Sequence, residues 1–188
     1  MTSVIINGGG YYLGEYPEFK FESATIELIN HTIRSYGIKK CYFCGSSKGG
    51  WAALNIGLRF NESYGAGIIV GAPQFYLGKY LRGDANRVTL EGICGKEDSE
   101  KVIKVLDTYL KNTIVDNSKG KKQRIYIHYS TKEHTYEEHI VSLIDELKKF
   151  NYEIICEEKE YLNHNDVGIY FPQFLLKILT IIFKKQDQ

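Results

Sequence analysis

Gly45-Ser46-Ser47-Lys48-Gly49-Gly50 lies between the aromatic run Cys41 to Cys44 and a helical stretch, Trp51 to Phe60. It reads as a nucleophile elbow with Ser47 at the tip. In a G-x-S-x-G turn the serine occupies a cramped strand-to-helix corner, where flanking side chains would collide with backbone, so Gly45 and Gly49 fill the two flanking positions. Such a turn raises the hydroxyl above the sheet and aims the following helix N-terminus at it, placing backbone N–H groups where negative charge develops. The competing reading is an ordinary strand-helix turn, with glycines for tight packing and serines as caps. A phosphate-cradling loop fits less well, because no Gly-Lys-Ser/Thr closes the run.

Composition sets the frame for that motif. The chain has 188 residues, 43% of them hydrophobic, enough for one globular domain with its own core across residues 1–188. Twenty-four basic and twenty-three acidic side chains leave a net charge of +1, which gives no field for nucleic acid or an acidic membrane. The sequence reads as having no apolar run of membrane-spanning length and no signal-peptide layout, so the expected compartment is the cytosol. Cys41 and Cys44 have a C-x-x-C spacing, but residues three apart on a strand point to opposite faces. All four cysteines, with Cys94 and Cys156, are expected as buried small hydrophobes, and no metal or cofactor is called for.

Periodicity along the chain alternates strands with amphipathic helices. Strands are expected at 3–7, 40–44, 65–70, 124–129 and 152–157, and helices at 23–36, 50–60, 99–110, 136–150 and 172–183. Ile140, Ile144, Leu147 and Phe150 trace one helical face. Strands rich in Val and Ile separated by helices predict an α/β fold: three α/β/α layers around a mainly parallel sheet of about five strands.

A serine needs a base, and the base needs a third group to hold its tautomer. Of the five histidines, His31 falls within a helix, His128 within a strand, and His134 and His139 near the start of the fourth helix. His164 instead follows the last expected strand in a polar loop, Tyr161 to Gly168. Glu133 lies just beyond the strand ending at Tyr129, which completes the order nucleophile, acid, histidine. Glu137 and then Asp166 are the rival acids.

With these residues in place, the chain resembles an α/β-hydrolase. Within that superfamily its elbow resembles those of bacterial capsular polysaccharide biosynthesis proteins and, more distantly, of O-acetyltransferase-like components of accessory secretion systems. Gly8-Gly9-Gly10-Tyr11-Tyr12-Leu13-Gly14, Gly71-Ala72-Pro73-Gln74 and His164-Asn165-Asp166-Val167-Gly168 add to the likeness. The resemblance implies acyl chemistry, by an esterase or acetyltransferase, on a bacterial surface glycan or its precursor. Ser47 would attack, His164 would act as base then acid, and Glu133 would orient it. Lys48 N–H, with Gly9 or Gly10, would form the oxyanion hole, and Tyr11 and Tyr12 would stack on sugar. The alternative is a non-catalytic accessory or scaffold protein of a glycan or secretion pathway.

The chain departs from the superfamily before the elbow, where only one strand is expected rather than several. Consecutive right-handed crossovers would then stack their helices on one face of the sheet, leaving the C-terminal helix nearly alone on the other. That predicts a homodimer or a separate N-terminal subunit as a partner for the exposed face.

Overall fold

The computed structural model describes residues 10–60, 64–119 and 123–184. In chain order the elements are α1 (Lys20–Tyr36), β1 (Cys41–Ser46), α2 (Lys48–Gly57), β2 (Gly65–Gly71), α3 (Leu77–Leu81), α4 (Arg87–Cys94), α5 (Ser99–Asp116), β3 (Arg124–Tyr129), α6 (Ser142–Lys149), β4 (Glu153–Glu158) and α7 (Val167–Lys184). The strand expected at 3–7 lies outside the described residues. The chain forms two compact units, one of residues 1–39 and 76–109 and the other of residues 40–75 and 110–188.

In the first unit, α1 ends where Gly37 takes φ 60°, a left-handed conformation that suits glycine, and its N–H closes on the Arg34 and Ile33 carbonyls. Leu13 is fully buried and its carbonyl accepts from the Phe21 and Glu22 N–H groups. The Phe19 ring meets the Tyr109 ring edge-on, and the Tyr109 hydroxyl donates to the buried Glu22 carboxylate at 2.7 Å. The short helices α3 and α4 have no counterpart in the sequence reading, because neither is long enough to show a helical period.

The second unit holds a four-stranded parallel sheet in the order β1-β2-β3-β4, with helices on both sides. This is the α/β architecture expected from the sequence, with four strands among the described residues. Alternation along each strand assigns the two faces. Phe43 and Ile68 face α2, since a methyl group on Gly57 would touch both at 3.0–3.1 Å. Ile69 and Tyr126 face the other way, into a core with Phe171, Phe174, Ile178 and Ile182 of α7.

Three expectations change here. Cys44 and Cys156 are exposed and Cys41 is intermediate, leaving only Cys94 buried. The reason is that β1 and β4 are the outer strands of this sheet among the described residues, so a strand residue there need not be enclosed. Second, α7 begins at Val167, not Pro172, because Val167 and Phe171 bury against the sheet and hold the extra turn despite a proline inside the helix. Third, the segment His164–Lys184 is long and apolar enough to cross a membrane, by length and composition only. One side of this helix packs on the sheet, and the other exposes Ile169, Leu176, Ile181 and Phe183.

This two-sidedness makes a direct prediction. Ile178→Ala, at 5% exposure, should cost about 2–5 kcal/mol, whereas Leu176→Ala, at 67%, should stay within about 0.5 kcal/mol. Urea unfolding of the two variants tests it, and equal losses would contradict the packing of α7.

Candidate active site

Ser47 joins β1 to α2 with φ 49° and ψ −122°, a region that L-residues avoid. Several contacts enforce it. The Ser47 N–H donates to the Gly71 carbonyl at 2.7 Å, and the Ser47 carbonyl accepts from Trp51 N–H at 3.0 Å. A methyl group on Gly45 would lie 2.3 Å from the Gly49 carbonyl oxygen, so no side chain fits there. Gly49 differs from expectation: a methyl group would meet nothing within 4 Å. Gly50 is the second tight position, where a methyl group would lie 3.1 Å from the Gly45 oxygen and 3.3 Å from the Gly71 oxygen.

The turn presents the Ser47 hydroxyl to His164. Ser47 Oγ lies 2.6 Å from His164 Nε2, and His164 Nδ1 pairs with Glu133 Oε1. Glu133 also accepts from the Thr135 hydroxyl at 2.5 Å. With the carboxylate accepting the Nδ1 hydrogen, Nε2 carries the lone pair that can take the hydrogen of the serine hydroxyl. The structure therefore brings together the three residues singled out from the sequence, on the loops that follow β1, β3 and β4.

Two features hold those loops. Ser130, 1% exposed at the end of β3, donates its hydroxyl to the Tyr161 carbonyl at 2.7 Å and accepts from Tyr161 N–H at 3.1 Å. It also accepts from Lys132 N–H at 3.1 Å, so one side chain ties the loop carrying Glu133 to the loop carrying His164. His139, expected as a solvated or helix residue, is instead buried in a π-helical turn, Tyr136–Val141, where its Nδ1 accepts from Phe75 N–H at 3.2 Å. Neither role leaves a periodic sequence signal.

The rival bases fall elsewhere, while the rival acid Asp166 shares the turn His164–Asp166 and it is Glu133 that pairs with His164 Nδ1. His128 is fully buried, stacked on Tyr161 and tilted against Phe174, and burial pushes its imidazole below the ordinary value despite Glu157 at 3.4 Å. His31 and His134 are exposed, as are Glu137 and Glu138 on the π-helical turn. Among the described residues, no cluster of three His, Cys, Asp or Glu side chains is arranged to hold a metal.

Of the expected oxyanion donors, Lys48 opens α2, where a first-turn N–H has no partner within the helix. Gly9 lies outside the described residues. Gly10 belongs to the first unit, and a methyl group there would sit 2.8 Å from Ile93, which gives this glycine a packing reason. Tyr11 and Tyr12 both have left-handed backbone, φ 53° and 63°. Tyr11 is 4% exposed, so the expectation of a sugar-stacking ring does not fit it, while Tyr12 is 42% exposed. Burial, then the neighbouring Tyr80, pushes the Tyr11 hydroxyl far above its ordinary value.

Gln74 was not among the expected site residues. It is 1% exposed, and its side-chain Nε2 donates to Ser47 Oγ at 3.3 Å and lies 3.5 Å from His164 Nε2.

The fold is α/β-hydrolase-like, and solved structures of similar fold include a capsule O-acetyltransferase, a serine hydrolase and an S-formylglutathione hydrolase. The capsule O-acetyltransferase of Neisseria meningitidis serogroup A matches with a TM-score of 0.71 at 21% identity, over 90% of this chain and 68% of that one. A chain of the Glycosylation Associate Protein complex of Streptococcus agalactiae matches at 0.70 and 16%, over 90% of this chain and 34% of that one. The fluorophosphonate-binding serine hydrolase F of Staphylococcus aureus matches at 0.69 and 17%, over 92% and 68%. No protein-family model matches the sequence, and no curated protein matches it by sequence.

The electrostatics of Glu133 predict a pH dependence. Burial alone would raise its pKa, but hydrogen bonds from His164 and Thr135, with the charges of His164 and His134, hold it below the ordinary value of 4.5. A carboxylate depressed on folding adds stability that is present above its unfolded pKa and lost as pH falls through the folded one. Glu133→Gln should therefore lower the melting temperature at pH 7 and lose that deficit in acid, below the ordinary carboxylate range. Thermal melts across pH test this, and a deficit that persists unchanged in acid would contradict it.

Proposed function

We propose that this chain is a serine acyl hydrolase or O-acyltransferase acting on a bacterial surface polysaccharide or its precursor. The observation that supports this most is the unbroken relay from Ser47 through His164 to Glu133, set on a strained strand-to-helix turn. In this reading residues 1–188 work as one α/β-hydrolase-like domain in the cytosol.

The chemistry follows from the relay. The Ser47 hydroxyl proton passes to His164 Nε2 as Oγ bonds to the acyl carbonyl carbon, and Glu133 stabilises the imidazolium. Negative charge moves to the former carbonyl oxygen, where the Lys48 N–H at the start of α2 meets it; such a donor is worth about 100-fold in rate or more. Collapse expels the leaving group, an alcohol or thiol, which takes the proton from His164. A hydroxyl acceptor then gives its own proton to His164, bonds to the acyl carbon and releases Ser47, which regains a proton. Water as acceptor makes the protein an esterase, and a sugar hydroxyl makes it a transferase.

The neighbours guide the choice of substrate. A histidine-to-alanine variant of the Neisseria meningitidis capsule O-acetyltransferase is known in complex with CoA, so an acetyl thioester is the first donor to try. Tyr12 is the exposed ring for sugar stacking. A second reading, a non-catalytic scaffold of a glycan pathway, draws on the likeness to the Streptococcus agalactiae glycosylation complex.

Labelling with a fluorophosphonate, read by intact mass, separates the two. The catalytic reading expects one adduct that is lost in Ser47→Ala and His164→Ala, with both variants folded. Absence of an adduct on folded wild-type protein would favour the scaffold. The exposed side of α7 adds a further expectation of self-association or a separate subunit. Sedimentation at micromolar concentration should show a dimer or, with that subunit added, a heteromer; a stable monomer that binds nothing would count against it.

A further inference from the structure

We propose that Gln74 is a further catalytic residue, an amide donor that holds the Ser47 oxygen in its attacking position and stabilises it as its proton leaves. The inference rests on the serine mechanism proposed above.

The geometry is specific. Ser47 Oγ lies 2.6 Å from His164 Nε2 and 3.3 Å from Gln74 Nε2, and the two nitrogens are 3.5 Å apart. A hydroxyl has a single hydrogen to give, and a neutral Nε2 can only accept it. The contact from Gln74 must then run the other way, with the amide N–H donating to an oxygen lone pair. Such a donor fixes the hydroxyl rotor, so that its hydrogen points at His164, and it favours an oxygen that is becoming negative. A catalytic oxygen held from two directions is pre-organised before the substrate arrives.

The loop that carries Gln74 is pinned on both sides of it. Ala72 N–H donates to the His128 carbonyl at 2.8 Å, and Phe75 N–H donates to His139 Nδ1 at 3.2 Å. Ala72 also takes φ 41°, a left-handed conformation for a residue with a side chain. The chain thus holds a strained, anchored loop whose one buried polar side chain at 1% exposure meets the nucleophile.

The test measures fluorophosphonate labelling rate against pH for wild type, Gln74→Leu and Gln74→Glu, with a thermal melt of each. Gln74→Leu should label about 10-fold more slowly or worse, the loss of one hydrogen bond to a reacting atom. Gln74→Glu keeps the shape and places a carboxylate beside His164. A negative neighbour favours the imidazolium, so the acid limb of the labelling profile should move up by about one pH unit. If Gln74→Leu does not fold, the near-isosteric Gln74→Glu carries the test. Wild-type labelling rates and an unmoved acid limb in the folded variants would overturn the proposal. So would a lower melting temperature with an unmoved limb, the mark of a packing role alone. Failure of the wild type itself to label would overturn the serine mechanism, and this proposal with it.

Discussion

Ser47 sits in a backbone conformation that costs about 1–3 kcal/mol for a residue with a side chain, and the rest of the site depends on that strain being held. Relaxed to ordinary angles, the chain would turn the hydroxyl away from His164. What resists relaxation is local and largely backbone. The Gly71 carbonyl of the neighbouring strand captures the Ser47 N–H, and Gly45 and Gly50 let two backbone segments pass where side chains could not. The parallel pairing of β1 with β2 thus does more than stabilise a sheet, because its register, Ser46 opposite Gly71, places the carbonyl that locks the turn.

The same logic extends along the sheet edge. Parallel strands deliver their C-terminal ends to one side, so loops far apart in sequence meet there. Ser130 ties together the loops that carry Glu133 and His164, while His139 fastens the loop that carries Gln74. Each fastening uses a buried polar group whose loss would leave partners unsatisfied, a cost of about 1–3 kcal/mol. His164, which faces a serine hydroxyl, and His139, which holds a backbone amide, differ in what surrounds them.

Much of this was legible in the sequence, for physical reasons. Alternating periods of two and 3.6 residues marked the strands and helices, and a motif with fixed backbone demands marked Ser47. Chain order then pointed to Glu133 and His164 as candidate acid and base, because each follows a strand of a parallel sheet, and the structure brings both to Ser47. What could not be read was what depends on tertiary contact. Gln74 and Ser130 lie in loops with no periodicity, and their partners are distant in sequence. Exposure of Cys44 and Cys156 follows from which strands lie outermost in this sheet, a property of topology. Gly49 looked obligatory from the motif, yet the crowding falls on Gly45 and Gly50. The early start of α7 reflects burial of Val167 and Phe171, which outweighs the propensity of Pro172.

The central claim is that the Ser47 oxygen forms a bond to an acyl carbon. Rapid acid quench of wild-type protein mixed with p-nitrophenyl acetate or acetyl-CoA, followed by peptide mapping, tests it without an assumption about the acceptor. The account predicts a single acetyl group on the peptide that carries Ser47, absent from the Ser47→Ala protein. Acetyl found only on lysines or cysteines, or none from either donor, would contradict it.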